Sequence, residues 1–166
     1  GMAALTARSL AAELGSSAKP VFGLFENMQE VQDEVVRAAN AEYQFFLRAE
    51  MMRGAYPPYK ASGMAYIAFA RQEKELFKLL FMRDRTEEDS ETEDESIDGI
   101  IALISRNTGL SNEDARLFHL EMWIFVHGIA TMIVTGYLDW EEEYVSRTLT
   151  DVYEGLKARW CGGNGK

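Results

Sequence analysis

His119 and His127 are the residues whose type and spacing come closest to a metal site. On a helix they lie about two turns apart, so their side chains project to nearly the same side. A carboxylate-bridged metal bundle would place a glutamate three residues before each histidine, but Arg116 and Ile124 occupy those positions. We therefore expect packed or interfacial histidines and no bound metal.

Other reactive chemistry is sparse in this sequence. Cys161 is the one cysteine, so no internal disulfide can form, which fits a reducing cytoplasm. The sequence holds no phosphate-cradling glycine loop and no nucleophile motif. We expect no catalytic residues, no cofactor and no enzymatic activity. Stoichiometric iron or manganese in the purified protein would reopen the alternative of a metal enzyme.

Small-molecule binding is the chemistry that the middle of the chain favours. Aromatic residues and methionines are dense between residues 45 and 82. A soft apolar cavity with a few polar groups is typical of small-molecule pockets, and the tyrosines of this region offer polar tips. Plain core packing is the alternative for each residue taken singly.

The composition predicts an all-α protein. The chain has 166 residues, of which 47% are hydrophobic, enough for one well-buried domain or one domain with a small appendage. Its three prolines, at positions 20, 57 and 58, leave long stretches without a helix breaker. Helical periodicity of the apolar residues dominates those stretches.

The net charge of -10 is concentrated in one segment. Residues 84–98 hold nine acidic groups against one arginine, and we expect a solvated acidic loop at 84–95. The rest of the chain is nearly neutral, so the acidity does not exclude a nucleic-acid partner. The apolar stretch 117–138 approaches membrane-spanning length, but Glu121 and two histidines interrupt it. We expect a core or interface helix there and no membrane partner.

Capping residues divide the N-terminal part into three helices. Thr6 is a plausible N-cap for a helix that ends at Leu14 and Gly15. Ser17 can cap a short helix reaching about Leu24. Asn27 then caps a long helix from residue 28 to about residue 53.

The remaining helices follow from breakers and caps in the same way. Gly54 and the two adjacent prolines interrupt the pattern, and helices are expected over 58–72, 73–82 and 96–107. Ser111 caps a long helix that ends near Thr135, with Gly136 as the stop. Asp139 caps the last helix, whose first turn is acidic.

The order of these features resembles the tetracycline-repressor (TetR) family of bacterial regulators. The N-terminal resemblance rests on the helix "ARSLAAEL" after Thr6, the segment "SSAKPVFGLF", and Asn27 before "MQEV". "YIAFARQEKELFKLLFMRD" and "WIFVHGIATMIVTG" resemble the family's ligand-binding and dimerisation domain. The resemblance implies a partial helix-turn-helix DNA-binding domain at 2–27. It also implies a helical effector-binding and dimerisation domain at 28–166.

The sequence departs from the family pattern in its N-terminal part. The helix that normally precedes the threonine-capped one is largely missing, since only "MAA" stands there. Phe22 replaces an aromatic residue whose hydroxyl would bind phosphate, and Met28 replaces a lysine at the start of the long helix. Pro20 lies inside the expected recognition helix.

The resemblance implies three sets of site residues. Contact with operator DNA is expected from Thr6, Ser16, Ser17, Ala18, Lys19 and Phe22, for which a solvated turn is the alternative. Binding of the effector is expected from Phe46, Met52, Tyr56, Tyr59, Met64, Tyr66, Phe69, Phe81, Trp123 and His127. A homodimer interface is expected from Met122, Phe125, Ile129, Met132, Trp140, Tyr144 and Tyr153. The stripe on the last two helices could equally be buried within one subunit.

Two functional hypotheses follow from these observations. The first is a cytoplasmic TetR-like repressor that binds operator DNA and a small apolar or amphipathic effector, with the effector changing the spacing of two DNA-binding units. The second is a relative that binds an effector or serves as a scaffolding dimer but does not bind DNA. The missing first helix and Met28 favour the second hypothesis.

Overall fold

In the computed structural model of the chain, residues 5–17, 19–83 and 91–162 are described, with residues 91–96 described as backbone alone. Every regular element within these ranges is helical, which confirms the all-α prediction. A single 3-10 turn at Val21–Gly23 lies between the first two helices. The helices are α1 (Ala7–Glu13), α2 (Met28–Arg53), α3 (Pro58–Gln72), α4 (Lys74–Phe81), α5 (Glu91–Thr108), α6 (Asn112–Val134) and α7 (Glu142–Gly162).

Side-chain caps start the first two helices where the sequence predicts them. The Thr6 hydroxyl accepts the backbone N–H of Ser9 at 3.1 Å, and the Ser9 hydroxyl accepts the backbone N–H of Thr6 at 2.9 Å. The amide oxygen of Asn27 accepts the backbone N–H of Glu30 at 3.0 Å. Gly54 ends α2 with φ of +64°, a left-handed conformation that glycine adopts without steric cost.

The cap of α6 is confirmed, whereas the predicted cap of α7 is wrong. The Ser111 hydroxyl accepts the backbone N–H of Asp114 at 3.1 Å. The last helix begins at Glu142 and not directly after Asp139. The Asp139 carboxylate instead accepts a hydrogen bond from Arg71 Nη1 at 3.2 Å. The Asp139 side chain therefore forms a tertiary ion pair with Arg71 and does not cap α7 as the local pattern predicted.

The predicted helix from Ser17 to Leu24 is replaced by the 3-10 turn at Val21–Gly23. Pro20 precedes that turn and cannot donate a backbone hydrogen bond. Leu24 is 81% exposed, so little apolar burial compensates for ordering a longer helix. Only one turn of helix forms where the sequence predicted a recognition helix.

The prediction of an acidic loop at 84–95 is wrong for residues 91–95. Helix α5 begins at Glu91, so residues 91–95 are helical. Residues 84–90 lie outside the described part of the chain. The helix predicted at 96–107 is the C-terminal part of this longer helix.

The buried side chains form two clusters. The first, here called the aromatic cluster, joins α2, α3, α4, α6 and α7, and its most buried rings are Phe69 and Phe77. The second, here called the α5–α6 cluster, holds Ile101, Ile104 and Phe118. Because the protein interior is closely packed, these clusters fix how the helices lie against one another.

Helix α6 is shared by both clusters. It contacts α3, α4, α5 and α7, and its residues Phe118 and Ala130 are fully buried. By length and composition alone α6 could cross a membrane, a test that the core helix of a globular domain also passes. Its packing against four helices agrees with the prediction of a core helix.

The described part of the N-terminal region before α2 contributes little to the buried core. Helix α1 has no buried residue, and Leu14 is 59% exposed. Val21 is buried and Phe25 is partly buried. Phe22 is 45% exposed.

Candidate functional site

Rings from α2, α3 and α4 meet directly inside the aromatic cluster. The ring centroids of Tyr66 and Phe81 are 4.7 Å apart, and those of Tyr43 and Phe69 are 5.3 Å apart. Phe46 lies 5.4 Å from Phe69 in an edge-to-face arrangement. Such separations are those of aromatic pairs in contact. The rings pack against one another and fill the space between the three helices.

His127 is the polar member of this cluster. Its ring stacks on Trp123 at 4.9 Å with an interplanar angle of 13°, and on Phe77 at 6.0 Å with an angle of 25°. Its Nδ1 atom lies 2.8 Å from the hydroxyl oxygen of Tyr66. The imidazole is thus held by two rings and one hydrogen bond.

His119 makes the equivalent bond in the α5–α6 cluster. Its Nδ1 atom lies 3.0 Å from the hydroxyl oxygen of Tyr59. Tyr59 bonds to His119, and Tyr66, further along α3, bonds to His127, further along α6. The two helices are therefore parallel where they pack together. Within the described ranges, no group of three or more His, Cys, Asp or Glu side chains is arranged to hold a metal ion.

Burial favours the uncharged form of the histidines in the two tyrosine–histidine pairs. Loss of solvation lowers the pKa of both His119 and His127. Burial, and secondarily the charge of Tyr153, raises the pKa of Tyr59. The hydrogen bond between Tyr59 and His119 therefore joins a protonated phenol to a neutral imidazole, and the tautomer of the ring decides which of the two atoms donates. Burial also raises the pKa of Tyr43, the neighbour of Tyr66, to about 12.

The histidine shifts predict that stability falls as the pH is lowered. Because the pKa of His119 and that of His127 are lower in the folded state, the unfolded chain binds more protons as the pH falls through about 6.5. The stabilisation is complete above that pH and is lost progressively between it and the folded-state pKa values. Urea unfolding between about pH 8 and pH 5, where most carboxylates stay ionised, measures this slope.

The control is a variant carrying His119→Asn and His127→Asn. Its free energy of unfolding should change much less across the same pH range, whatever its absolute stability. An equal slope in the variant and the original protein would show that other groups cause the pH dependence.

The structure brings most of the predicted effector residues to the two clusters, but as packed side chains. Met64, Tyr66 and Phe69 are buried, while Tyr59 and His127 are partly buried. Trp123 is 43% exposed on α6, and Met52 is 87% exposed and lies away from the clusters. Three further residues are partly buried and pack against the buried residues of the aromatic cluster: Phe46, Tyr56 and Phe81.

An open cleft of about 320 Å³ lies beside the aromatic cluster, between the end of α2, α3 and the start of α7. Its apolar lining comes from Met64, Ile67 and Val145, all of which are buried. Its polar lining comes from Glu50, Arg53, Arg71, Gln72 and Glu142. The cleft therefore combines an apolar surface with charged side chains of both signs.

Arg53 links the ends of two helices across the cleft. Its Nη1 atom donates to Glu142 Oε1 at 2.8 Å, and the hydroxyl of Tyr56 donates to the same oxygen at 3.2 Å. The Oε1 atom of Glu50 lies 3.6 Å from Arg53 Nη1. The hydrogen bond and charge of Glu142, and then the charge of Glu50, raise the pKa of Arg53.

Sequence reasoning missed nearly all of this cleft. Of the predicted effector residues only Met64 lines it. Glu50 and Arg53 are three residues apart on α2, a spacing that indicates a pair on one helix face. Glu142 joins that pair from 89 residues along the chain, a contact that periodicity cannot predict.

The residues predicted to contact DNA lie at the exposed surface of the N-terminal region. Ser16, Ser17 and Lys19 are exposed between α1 and the 3-10 turn. Ala18 lies outside the described residues. Thr6 is exposed, but its hydroxyl is engaged in the α1 capping box.

The predicted dimer residues separate into buried and exposed sets. Met122 and Ile129 are buried in the core of the subunit, a correction to the predicted interface, since little of either side chain remains for a partner. Phe125, Trp140 and Tyr153 are partly buried, whereas Met132 and Tyr144 are 43% and 53% exposed. The exposed apolar face of α6 instead carries Leu117, Leu120 and Ile124.

Comparison with known protein families identifies the class of protein to which the chain belongs. Residues 59–153, more than half of the chain, match the family model described as the tetracyclin repressor-like C-terminal domain. That class consists of regulators and not of enzymes. The chain belongs to the tetracycline-repressor (TetR) family. No curated protein and no solved structure matched it.

Proposed function

We propose that this protein is a DNA-binding transcriptional regulator, acting as a repressor in the bacterial cytoplasm and controlled by a small apolar or amphipathic effector. The family match over residues 59–153 is the observation that carries the proposal. The charged and apolar cleft beside the aromatic cluster supports control by a small molecule. Effector binding would change the spacing of two DNA-binding units in a homodimer.

The DNA-binding part of the proposal rests on residues 2–27. Ser16, Ser17 and Lys19 present hydroxyl groups and one positive charge at the bend after α1. Such groups can contact phosphate oxygens and so position a short element at the major groove. Helix α2 begins directly afterwards at Met28 and leads into the proposed effector-binding and dimerisation domain at 28–166.

The homodimer is proposed through α6 and α7. Leu120 and Ile124 are 50% and 59% exposed on α6, and Tyr144 is 53% exposed on α7. An exposed apolar helix face is costly in water and is typical of a protein interface. Two helices from each subunit would form a four-helix bundle around a two-fold axis.

Selection from a library of random DNA duplexes, followed by gel shift over a salt series, tests the DNA-binding part. We expect an enriched inverted repeat whose half-sites lie about one helical turn, or 34 Å, apart. Lys19→Ala should weaken binding to all sequences and reduce the salt dependence by about one counterion. Lys74→Ala is the matched control, because Lys74 is also exposed but lies on α4.

Absence of any enriched sequence, even at about 50 mM salt, would contradict operator binding. It would favour the second candidate function, a TetR-like effector-binding or scaffolding dimer that does not bind DNA. The 3-10 turn in place of the recognition helix supports this candidate, as does the exposure of Leu14 and Leu24. The two candidates share the same dimer and effector domain and differ only in residues 2–27.

A further inference from the structure

The connection between α6 and α7 lacks backbone hydrogen bonds at its centre. On the side of α6, the N–H of Leu138 donates to the carbonyl of Met132 at 3.1 Å, and on the side of α7 the carbonyl of Glu141 accepts the first helical bond. Asp139 and Trp140 lie between these points, and within the described part of the chain neither bonds to another backbone group. The direction in which the chain enters α7 therefore depends on side-chain contacts.

Arg71, near the end of α3, supplies those contacts. Its Nη1 atom donates to the Asp139 carboxylate at 3.2 Å, and its Nη2 atom donates to the backbone carbonyl of Trp140. The guanidinium is planar and carries its donors in a fixed fork, so two bonds from one side chain hold two successive residues in a defined orientation. One side chain thus ties the connection between α6 and α7 to α3.

The bond to the Trp140 carbonyl is the stronger of the two restraints. The Asp139 side chain is 99% exposed, and ion pairs at the surface contribute little because water and salt screen them. The bond to the carbonyl is partly buried, and a charged donor strengthens a hydrogen bond in such surroundings. A change at Arg71 should therefore have a larger effect than a change at Asp139.

The indole ring of Trp140 connects this restraint to the proposed dimer interface. The ring packs against the aromatic cluster and meets the ring of Tyr144 edge to face, with 4.7 Å between the centroids. Tyr144 lies in the first turn of α7 and is 53% exposed on the face proposed for the homodimer. The backbone position of Trp140 therefore determines where the exposed ring of Tyr144 is supported.

We propose that Arg71 is a positioning residue for the homodimer: by holding the backbone of Trp140 it fixes the first turn of α7 and presents Tyr144 to a second copy of this chain. This inference rests on the proposed dimer through α6 and α7. Without the guanidinium, the side chains of the interface remain, but the first turn of α7 is less ordered. Dimer formation then carries the additional entropic cost of ordering that turn.

Sedimentation velocity over a concentration series tests the effect on the dimer. Arg71→Gln should weaken the dimer by about tenfold, because the neutral amide cannot replace the charged fork. Arg71→Lys should recover part of that loss, since an ammonium can still donate to the Trp140 carbonyl. Asp139→Asn is the matched control and should change the dissociation constant by less than about threefold, because it leaves the carbonyl bond intact. Dimerisation of Arg71→Gln equal to that of the original protein would overturn the proposal.

A distance measurement within one chain separates this inference from the dimer itself. Spin labels are attached through Glu113→Cys and Glu143→Cys, both exposed positions, with Cys161→Ser removing the native thiol. Labelled chains are diluted with an excess of unlabelled protein, and double electron–electron resonance gives the distance between α6 and the first turn of α7. The distribution should broaden in Arg71→Gln and stay unchanged in Asp139→Asn. An unchanged distribution in Arg71→Gln would overturn the role of Arg71 at any oligomeric state, whereas a monomeric original protein would overturn the homodimer.

Discussion

Phe69→Ala is expected to lower the free energy of unfolding by about 3–5 kcal/mol. The side chain is fully buried, and its ring contacts those of Tyr43 and Phe46 on α2 and of Phe81 on α4. Removing it leaves a cavity where three helices meet, and the surrounding rings cannot close that space without leaving their preferred rotamers. Urea unfolding followed by circular dichroism measures the loss at a fixed protomer concentration.

Phe45→Ala is the matched control for this prediction. Phe45 precedes Phe46 on the same helix, but it is 58% exposed. The same change of residue type should therefore lower the free energy of unfolding by less than about 1 kcal/mol. Similar losses in the two variants would show that the aromatic cluster does not carry the stability assigned to it. Native proteins have a free energy of unfolding of about 5–15 kcal/mol in total, so the Phe69→Ala variant would lose a large share of its stability.

Ile124→Arg is expected to weaken the proposed homodimer by at least about a hundredfold. Ile124 is 59% exposed on the apolar face of α6, next to Leu120 and Leu117. In a dimer through this face, a guanidinium would be buried against apolar side chains without an acceptor, at a cost of several kcal/mol. Sedimentation velocity over a concentration series measures the monomer–dimer equilibrium directly.

Phe45→Arg adds the same charge to an exposed apolar position on α2, a helix that contributes nothing to the proposed interface. This variant should remain as dimeric as the original protein. If the original protein is monomeric at all accessible concentrations, or if Ile124→Arg remains fully dimeric, the proposed interface is incorrect. Helical content by circular dichroism should be unchanged in both variants, because both side chains lie at the surface of one subunit.

The helix boundaries that local chemistry controls could be predicted from the sequence. Asn27 and Gly54 mark the ends of α2 through a side-chain cap and a left-handed glycine, and both effects act within a few residues. Asp139 shows the limit of such reasoning. Its residue type suits a helix N-cap, but the distant Arg71 binds its carboxylate, and no local pattern reports that contact.

The face of α6 that meets the core could not be predicted for a different reason. Apolar residues occur on almost every side of this helix, so the periodicity does not select one face. The predicted interface stripe through Met122 and Ile129 is in fact the face that packs inside the subunit. The exposed face follows from the packing of α3, α5 and α7 against α6, which are tertiary contacts.

The cleft could not be predicted from the sequence, because its lining residues come from three separate helices. Glu50 and Arg71 are individually ordinary charged residues on amphipathic helices. Only the folded chain shows that Glu50 Oε1 is buried without a hydrogen bond from the described residues, while Arg71 donates to Asp139 and to the backbone carbonyl of Trp140. A property that depends on which donors surround an acceptor cannot be read from residue types and spacing.

The hydrogen bond between Arg53 and Glu142 joins the C-terminal end of the 26-residue helix α2 to the start of α7. At about 1.5 Å per residue the helix is about 39 Å long, and its other end carries the residues that precede Met28. Holding a rod at one end turns small angles there into larger translations at the opposite tip. If α2 tilted by about 5° about Arg53, its N-terminal tip would move by about 3 Å, which is comparable to the rise between successive base pairs along a DNA strand.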